Sequence, residues 1–141
     1  MYFGFNDIYV SYGKKEVLKG LTLDIPRGKI VSLIGQNGCG KSTLLKTVSK
    51  AVTPRRGEII YLDQKISSYQ PKRLAQKIAY LAQVHESPPD IDVRTLVSYG
   101  RFPYSHFGRG MTSDDGEIID RAISLTGLTH LRERILSTLS G

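Results

Sequence analysis

The chain has 141 residues, of which 40% are apolar and 23% charged, and it carries a net charge of +7. That is enough chain for one compact domain, and no apolar run approaches the ~18 residues of a membrane span. Its one cysteine, Cys39, excludes an internal disulfide framework and fits a reducing compartment. The first residues, Met1 to Phe5, lack a basic segment followed by an apolar one, so no signal peptide is expected and a cytosolic location is. The charge is uneven: residues 1–77 hold 14 Lys/Arg against 5 Asp/Glu, while residues 78–141 hold 6 against 8. The basic part could face nucleotide phosphates, nucleic acid or an anionic membrane surface, or simply be solvated.

Phe3 to Val10 is aromatic and β-branched and predicts a strand. Ser11-Tyr12-Gly13-Lys14 predicts a turn. Val17-Leu18 and Leu21 to Ile25 continue the β pattern, with Leu21, Leu23 and Ile25 on one face. Pro26-Arg27-Gly28 is a tight turn. Lys29 to Ile34 is an apolar run with one serine, the pattern of a strand buried on both faces. After a glycine-rich loop, Ser42 to Ser49 predicts a helix. Glu58 to Leu62 predicts a strand, Pro71 to Lys77 a short helix opened by proline, and Ile78 to Leu81 a further strand ending at Gln83. Val93 to Tyr99 predicts a helix, and Gly100 to Met111 is irregular and rich in aromatics and glycine. Ser113 is expected to cap a helix through about Thr126, with Asp114, Asp115 and Glu117 near the positive end of its dipole. Leu128 to Arg134 predicts a shorter helix.

The chemistry concentrates in Gly35-Gln36-Asn37-Gly38-Cys39-Gly40-Lys41-Ser42, which fits G-x-x-x-x-G-K-[ST] at every fixed position and is followed by Thr43. A predicted strand precedes it and a predicted helix follows, which is the context this pattern requires. Glycines let successive backbone N–H groups turn inward toward phosphate oxygens, and the helix presents its positive end to them. Lys41 would reach the β- and γ-phosphates, and the Ser42 hydroxyl would ligate Mg²⁺. The loop alone defines a nucleotide-binding ATPase or GTPase and no more. Cys39 sits inside the loop as a small residue that fits there and is expected to have no catalytic role.

Further residues carry a resemblance. Tyr12 precedes Val17-Leu18, Leu21, Gly28 and the loop, Gln83 follows Ile78-Ala79-Tyr80-Leu81, and the chain reaches Leu139-Ser140-Gly141. In this order they resemble the ATP-binding-cassette ATPases, whose signature begins Leu-Ser-Gly. The resemblance spans nearly the whole chain. It implies an α/β fold: an N-terminal part of the P-loop nucleotide-binding core over residues 1–84, with antiparallel strands and P-loop core strands, then part of a helical subdomain over 85–141. It implies that Tyr12 stacks on adenine and that Gln83 approaches Mg²⁺ or the attacking water. The resemblance thus implies that ATP is contacted by Tyr12, Gly35, Asn37, Gly38, Cys39, Gly40, Lys41, Ser42 and Thr43, and Mg²⁺ by Ser42 and Gln83.

Leu96-Val97-Ser98-Tyr99-Gly100-Arg101-Phe102-Pro103-Tyr104 is similar to a segment of the ATPases that power uptake of iron–siderophore, haem and vitamin B12. The resemblance therefore implies integral-membrane permease partners docked on the helical subdomain, a second copy of the ATPase, and a substrate-binding protein engaged indirectly. It also implies a place on the cytoplasmic face of the inner membrane.

The family's remaining catalytic groups, including the Walker B aspartate, the glutamate beside it and the switch histidine, follow the signature. Residues 1–141 are accordingly expected to bind nucleotide without useful turnover. Alternatives are a soluble cassette protein of DNA repair or iron–sulfur assembly, or an inactive nucleotide-binding module. Residues 96–104 favour a transporter. No helix-turn-helix, zinc spacing or RNA-binding signature supports nucleic acid.

Overall fold

Two antiparallel strands open the chain in the computed structural model, which describes residues 2–82, 90–105 and 110–139. β1 spans Phe3–Tyr12 and β2 spans Lys15–Ile25, with Tyr12 opposite Lys15. Gly13, at φ 58, supplies the left-handed backbone that a two-residue hairpin turn needs. The β pattern of 17–25 is thus one strand with its hairpin, and β1 runs two residues further than its apolar pattern. β3 (Arg56–Tyr61) pairs with the other edge of β1, and β4 (Gln64–Lys65) follows, giving a sheet in the order β2-β1-β3-β4. Leu62 and Asp63 both have positive φ, 48 and 60. That is the backbone of a type I′ turn, with leucine an uncommon occupant.

A bulge interrupts β1 at Asp7, which has φ 53. Gly57, at φ 94, lies directly against it: a Cβ there would meet the Asp7 carbonyl oxygen at 2.2 Å. Arg56 forms an ion pair of 3.0 Å with Asp7 and lies 5.4 Å above the Tyr9 ring. The bulge shifts the inward-facing set from Phe3 and Phe5 to Ile8 and Val10. These four join Leu18, Ile59, Tyr61 and Leu44, with Ile66 and Leu74 closing the core. Leu44 belongs to α1, Lys41–Val48, which begins one residue earlier than its apolar pattern. α2 is the proline-opened helix Pro71–Ala75.

Two expected strands are not formed. Residues 29–34 and 78–81 have no regular secondary structure. Ile30 is 100% exposed, Ile34 95% and Leu81 85%. An apolar run specifies a buried strand only where neighbours supply ladder partners and cover both faces. Among the described residues nothing pairs with either segment. The family fold stands, while these two stretches are corrected.

The chain divides into two compact units, Met1–Tyr80 and Leu81–Gly141. In the second, α3 (Val93–Ser98) is capped by Asp92, whose side chain accepts the Thr95 N–H at 2.6 Å. That N–H holds the Asp92 carboxyl below its usual pKa. α3 runs straight into a 3₁₀ segment, Tyr99–Tyr104, where an irregular stretch was expected. α4 spans Ser113–Leu125 and buries Ile119 and Ile123. Its cap is Thr112, not Ser113: Thr112 and Asp115 form a reciprocal capping box, and only the residue at that spacing from Asp115 can do so. The expected helix 128–134 reduces to a 3₁₀ turn, Thr129–Leu131. Gln83, His85, His106, Ser140 and Gly141 lie outside the described residues.

Candidate functional site

The site is assembled by the loop that enters α1. Gly40 is the N-cap residue at φ 102, and no side chain caps the helix. The N–H groups of the first turn therefore keep their donors for something other than the protein. The Leu44 N–H closes that turn on the Gly40 carbonyl at 2.8 Å. Three glycines are fixed for three different reasons. A Cβ at Gly35 would lie 2.9 Å from Cys39 Sγ. Gly38 meets no atom within 4 Å but has φ 79, a backbone that costs other residues energy. A Cβ at Gly40 would lie 2.7 Å from Leu18 Cδ2 and 3.3 Å from the Val17 carbonyl oxygen, so β2 itself forbids a side chain there.

Lys41 turns back over this loop. Its ammonium donates to the Gly35 carbonyl at 2.7 Å and the Gln36 carbonyl at 2.8 Å, and sits 3.7 Å from Cys39 Sγ. Two carbonyls and the Cys39 sulfur thus hold a cation across the loop's mouth, and a phosphate would take the place of these acceptors. The ammonium group therefore lies over the loop. Ser42, in the first helical turn, is exposed, whereas Thr43 beside it is buried. Asn37 and Cys39 are exposed on the loop. Gly35, Asn37, Gly38, Cys39, Gly40, Lys41, Ser42 and Thr43 are therefore gathered in one place. Thr47, one turn on, is 1% exposed and bonds back to the Leu44 carbonyl at 2.6 Å, which seats α1 firmly beneath the loop.

Tyr12 ends β1 and is 49% exposed. Gln83 lies outside the described residues. No group of three or more His, Cys, Asp or Glu side chains suited to a metal occurs among the described residues. A magnesium ion needs no such cage, because it keeps several waters and takes one or two protein ligands beside phosphate. An exposed hydroxyl at Ser42 fits that demand. A cleft of about 300 Å³ lies elsewhere, lined by Thr47, Lys50, Glu58 and Lys65 among others, and none of residues 35–43 lines it.

Sequence reasoning missed one cluster. Arg101 and Asp115 form an ion pair of 2.7 Å with side chains only 20% and 13% exposed. They stand 14 residues apart in different elements, and no local pattern links them.

A glycine loop packed on β2, feeding a helix that no side chain caps and with a lysine arched over it, has the form of an anion cradle. Residues 18–141 match the family model described as ABC transporter. The chain belongs to the ABC transporter family. It is 41% identical over 132 residues to the ferric enterobactin transport ATP-binding protein FepC of Escherichia coli (strain K12), an alignment covering 94% of this chain and 49% of that protein. It is 39% identical to the petrobactin import ATP-binding protein FpuD of Bacillus anthracis, over 94% of this chain and 48% of that protein. With the iron(3+)-hydroxamate import ATP-binding protein FhuC of Bacillus subtilis (strain 168) it shares 41% identity, over 94% and 49%. The chain spans about half the length of the curated relatives it matches. Among solved structures, an inward-facing metal-chelate type ABC transporter superposes with a TM-score of 0.79 at 28% identity, covering 99% of this chain and 50% of that one.

Proposed function

We propose that this chain supplies the nucleotide-binding part of an ATP-binding subunit that couples ATP binding and hydrolysis to import of an iron–siderophore, haem or cobalamin-type substrate. The observation that carries it is the loop: Lys41 held by the carbonyls of Gly35 and Gln36 over a helix whose first N–H groups no side chain satisfies. That geometry suits a polyphosphate. Gly35, Asn37, Gly38, Cys39 and Gly40 line the backbone cradle, and Lys41 and Thr43 contact the phosphates. Ser42, with Gln83, would hold Mg²⁺, which neutralises charge developing on the phosphates. Tyr12 offers its exposed ring to adenine. Lys41 and Gln83 are assigned catalytic roles on the resemblance described above.

The names of FepC, FpuD and FhuC support the iron–siderophore side of this reading. Residues 85–141 are read as part of the helical subdomain that meets a membrane permease, with the core of residues 1–84 facing a second copy. A substrate-binding protein acts through the permease, and the subunit lies on the cytoplasmic face of the inner membrane. The water-polarising groups of the family fall outside residues 1–141, so this stretch alone binds nucleotide and releases no phosphate in sustained fashion.

Titration with Mg–ATP tests the binding claim. Lys41→Ala removes charge-assisted bonds worth about 1.5–3 kcal/mol, so affinity should fall ~10- to 100-fold. No association in the unsubstituted protein would end the proposal. In the full-length subunit reconstituted with its permease, the same substitution should abolish uptake of the ferric siderophore.

A further inference from the structure

Charge pairs on this protein are of two kinds. Arg56–Asp7, Lys65–Glu58, Arg94–Asp120 and Arg132–Glu133 have side chains 39–79% exposed. Such pairs contribute little and hold little in place. Among the described residues Arg101–Asp115 alone is largely withdrawn from water, at 20% and 13%. Desolvating two charges is costly, and such a pair persists where its geometry is good and further hydrogen bonds satisfy its remaining groups.

The Asp115 carboxylate is shared between two tasks. Its Oδ1 accepts the Arg101 Nε–H at 2.7 Å. Its Oδ2 accepts the Thr112 N–H at 3.0 Å and the Thr112 hydroxyl at 2.9 Å. One side chain thereby ties the 3₁₀ segment Tyr99–Tyr104 to the start of α4. Arg101 is also steered from the other side, its guanidinium lying 4.0 Å from the centre of the Tyr104 ring. The segment so held is aromatic and open to solvent: Tyr99 is 37% exposed, Phe102 61% and Tyr104 42%. Tyr99 and Phe102 stack with ring centres 4.9 Å apart. Aromatic side chains beside an arginine are the composition of interface cores, and a surface ordered before binding loses less entropy on docking.

Resting on the reading above that this unit meets a membrane permease, we propose that Arg101 and Asp115 are a positioning pair. They hold the aromatic segment 99–104 and α4 as one preformed surface for the permease's cytoplasmic face. Neither residue is among the positions assigned above to nucleotide or metal, and the pair acts through what it orients.

The test uses the full-length subunit with its permease. Arg101→Ala should leave Mg–ATP affinity of the soluble subunit unchanged and weaken permease association at least ~10-fold. Asp115→Asn keeps an amide oxygen for the Thr112 cap but loses the charge, and should shift association the same way. Arg101→Lys restores charge without the planar fork, and should recover part of the loss. Equal association of wild type, Arg101→Ala and Asp115→Asn would overturn the pair while leaving the permease reading intact. Failure of the wild type to associate would sink both. A uniform loss of melting temperature, nucleotide affinity and association would mark a structural role and overturn the proposal.

Discussion

Glycines at two places make unequal demands, and substitution should separate them. At Gly38 only the left-handed backbone, φ 79, resists a side chain. Gly38→Ala should cost about 1–2 kcal/mol. At Gly57 the same conformation is compounded by the Asp7 carbonyl oxygen, 2.2 Å from the new Cβ. Backbone cannot move aside without breaking the bulge, so Gly57→Ala should cost on the order of 3 kcal/mol. Denaturant titration of both variants checks the order, and an equal or reversed cost contradicts it.

Asp115 makes a pH prediction at the same scale. The Thr112 backbone N–H, then the Arg101 guanidinium, lower its pKa from 3.8 to about 2. A carboxyl depressed in the folded state stabilises fully above its unfolded pKa and loses that contribution as pH falls through its folded value. Wild type and Asp115→Asn should therefore differ in melting temperature at neutral pH. The gap should close between pH 3.8 and about 2. A gap that persists unchanged below that window refutes the assignment.

Among the elements, α4 was legible and its start was not. Its apolar residues recur at helical spacing, so Ile119 and Ile123 are buried. Ser113 and Thr112 are both good caps by residue type, and only the side-chain geometry with Asp115 decides between them. Thr112→Ala should lower stability by about 1 kcal/mol, and Ser113→Ala should be within experimental error by denaturant titration. The glycine loop was legible for a different reason. Its constraints are local: φ at Gly38 and Gly40 and the carbonyl contacts of Lys41 all arise within a few residues. Gly40's clash with Leu18 Cδ2 across to β2 was not readable, because nothing in the pattern places residue 18 there. The Asp7 bulge was hidden for the same reason. Its single extra residue reads as a pause in alternation until β3 is seen to bring Gly57 against it.

At the scale of the whole molecule, the apolar surface is unevenly covered. Ile30 and Ile34 are 100% and 95% exposed, so they contribute nothing to burial in these 141 residues. An apolar groove of about 210 Å³, lined by Phe3, Phe5, Leu23, Val31, Leu33 and Leu44 among others, lies open in the same unit. Ile30→Ser combined with Ile34→Ser should reduce binding of a hydrophobic dye such as ANS to the 141-residue chain. The melting temperature should hold, since neither side chain packs in the core. A large drop in melting temperature would show that these residues are buried in solution.

What the sequence by itself determined is what short-range chemistry dictates. It specified the glycine-rich loop, the helix behind it, the face of β2 that carries Leu21, Leu23 and Ile25, and through ordered motifs the family. Tertiary structure alone decided which apolar runs find partners. Lys29 to Ile34 and Ile78 to Leu81 have strand composition, yet strand formation depends on hydrogen bonds supplied by other segments, and none among the described residues supplies them. It also decided the Arg101–Asp115 pair, since two charges 14 residues apart meet only when folding brings their elements together.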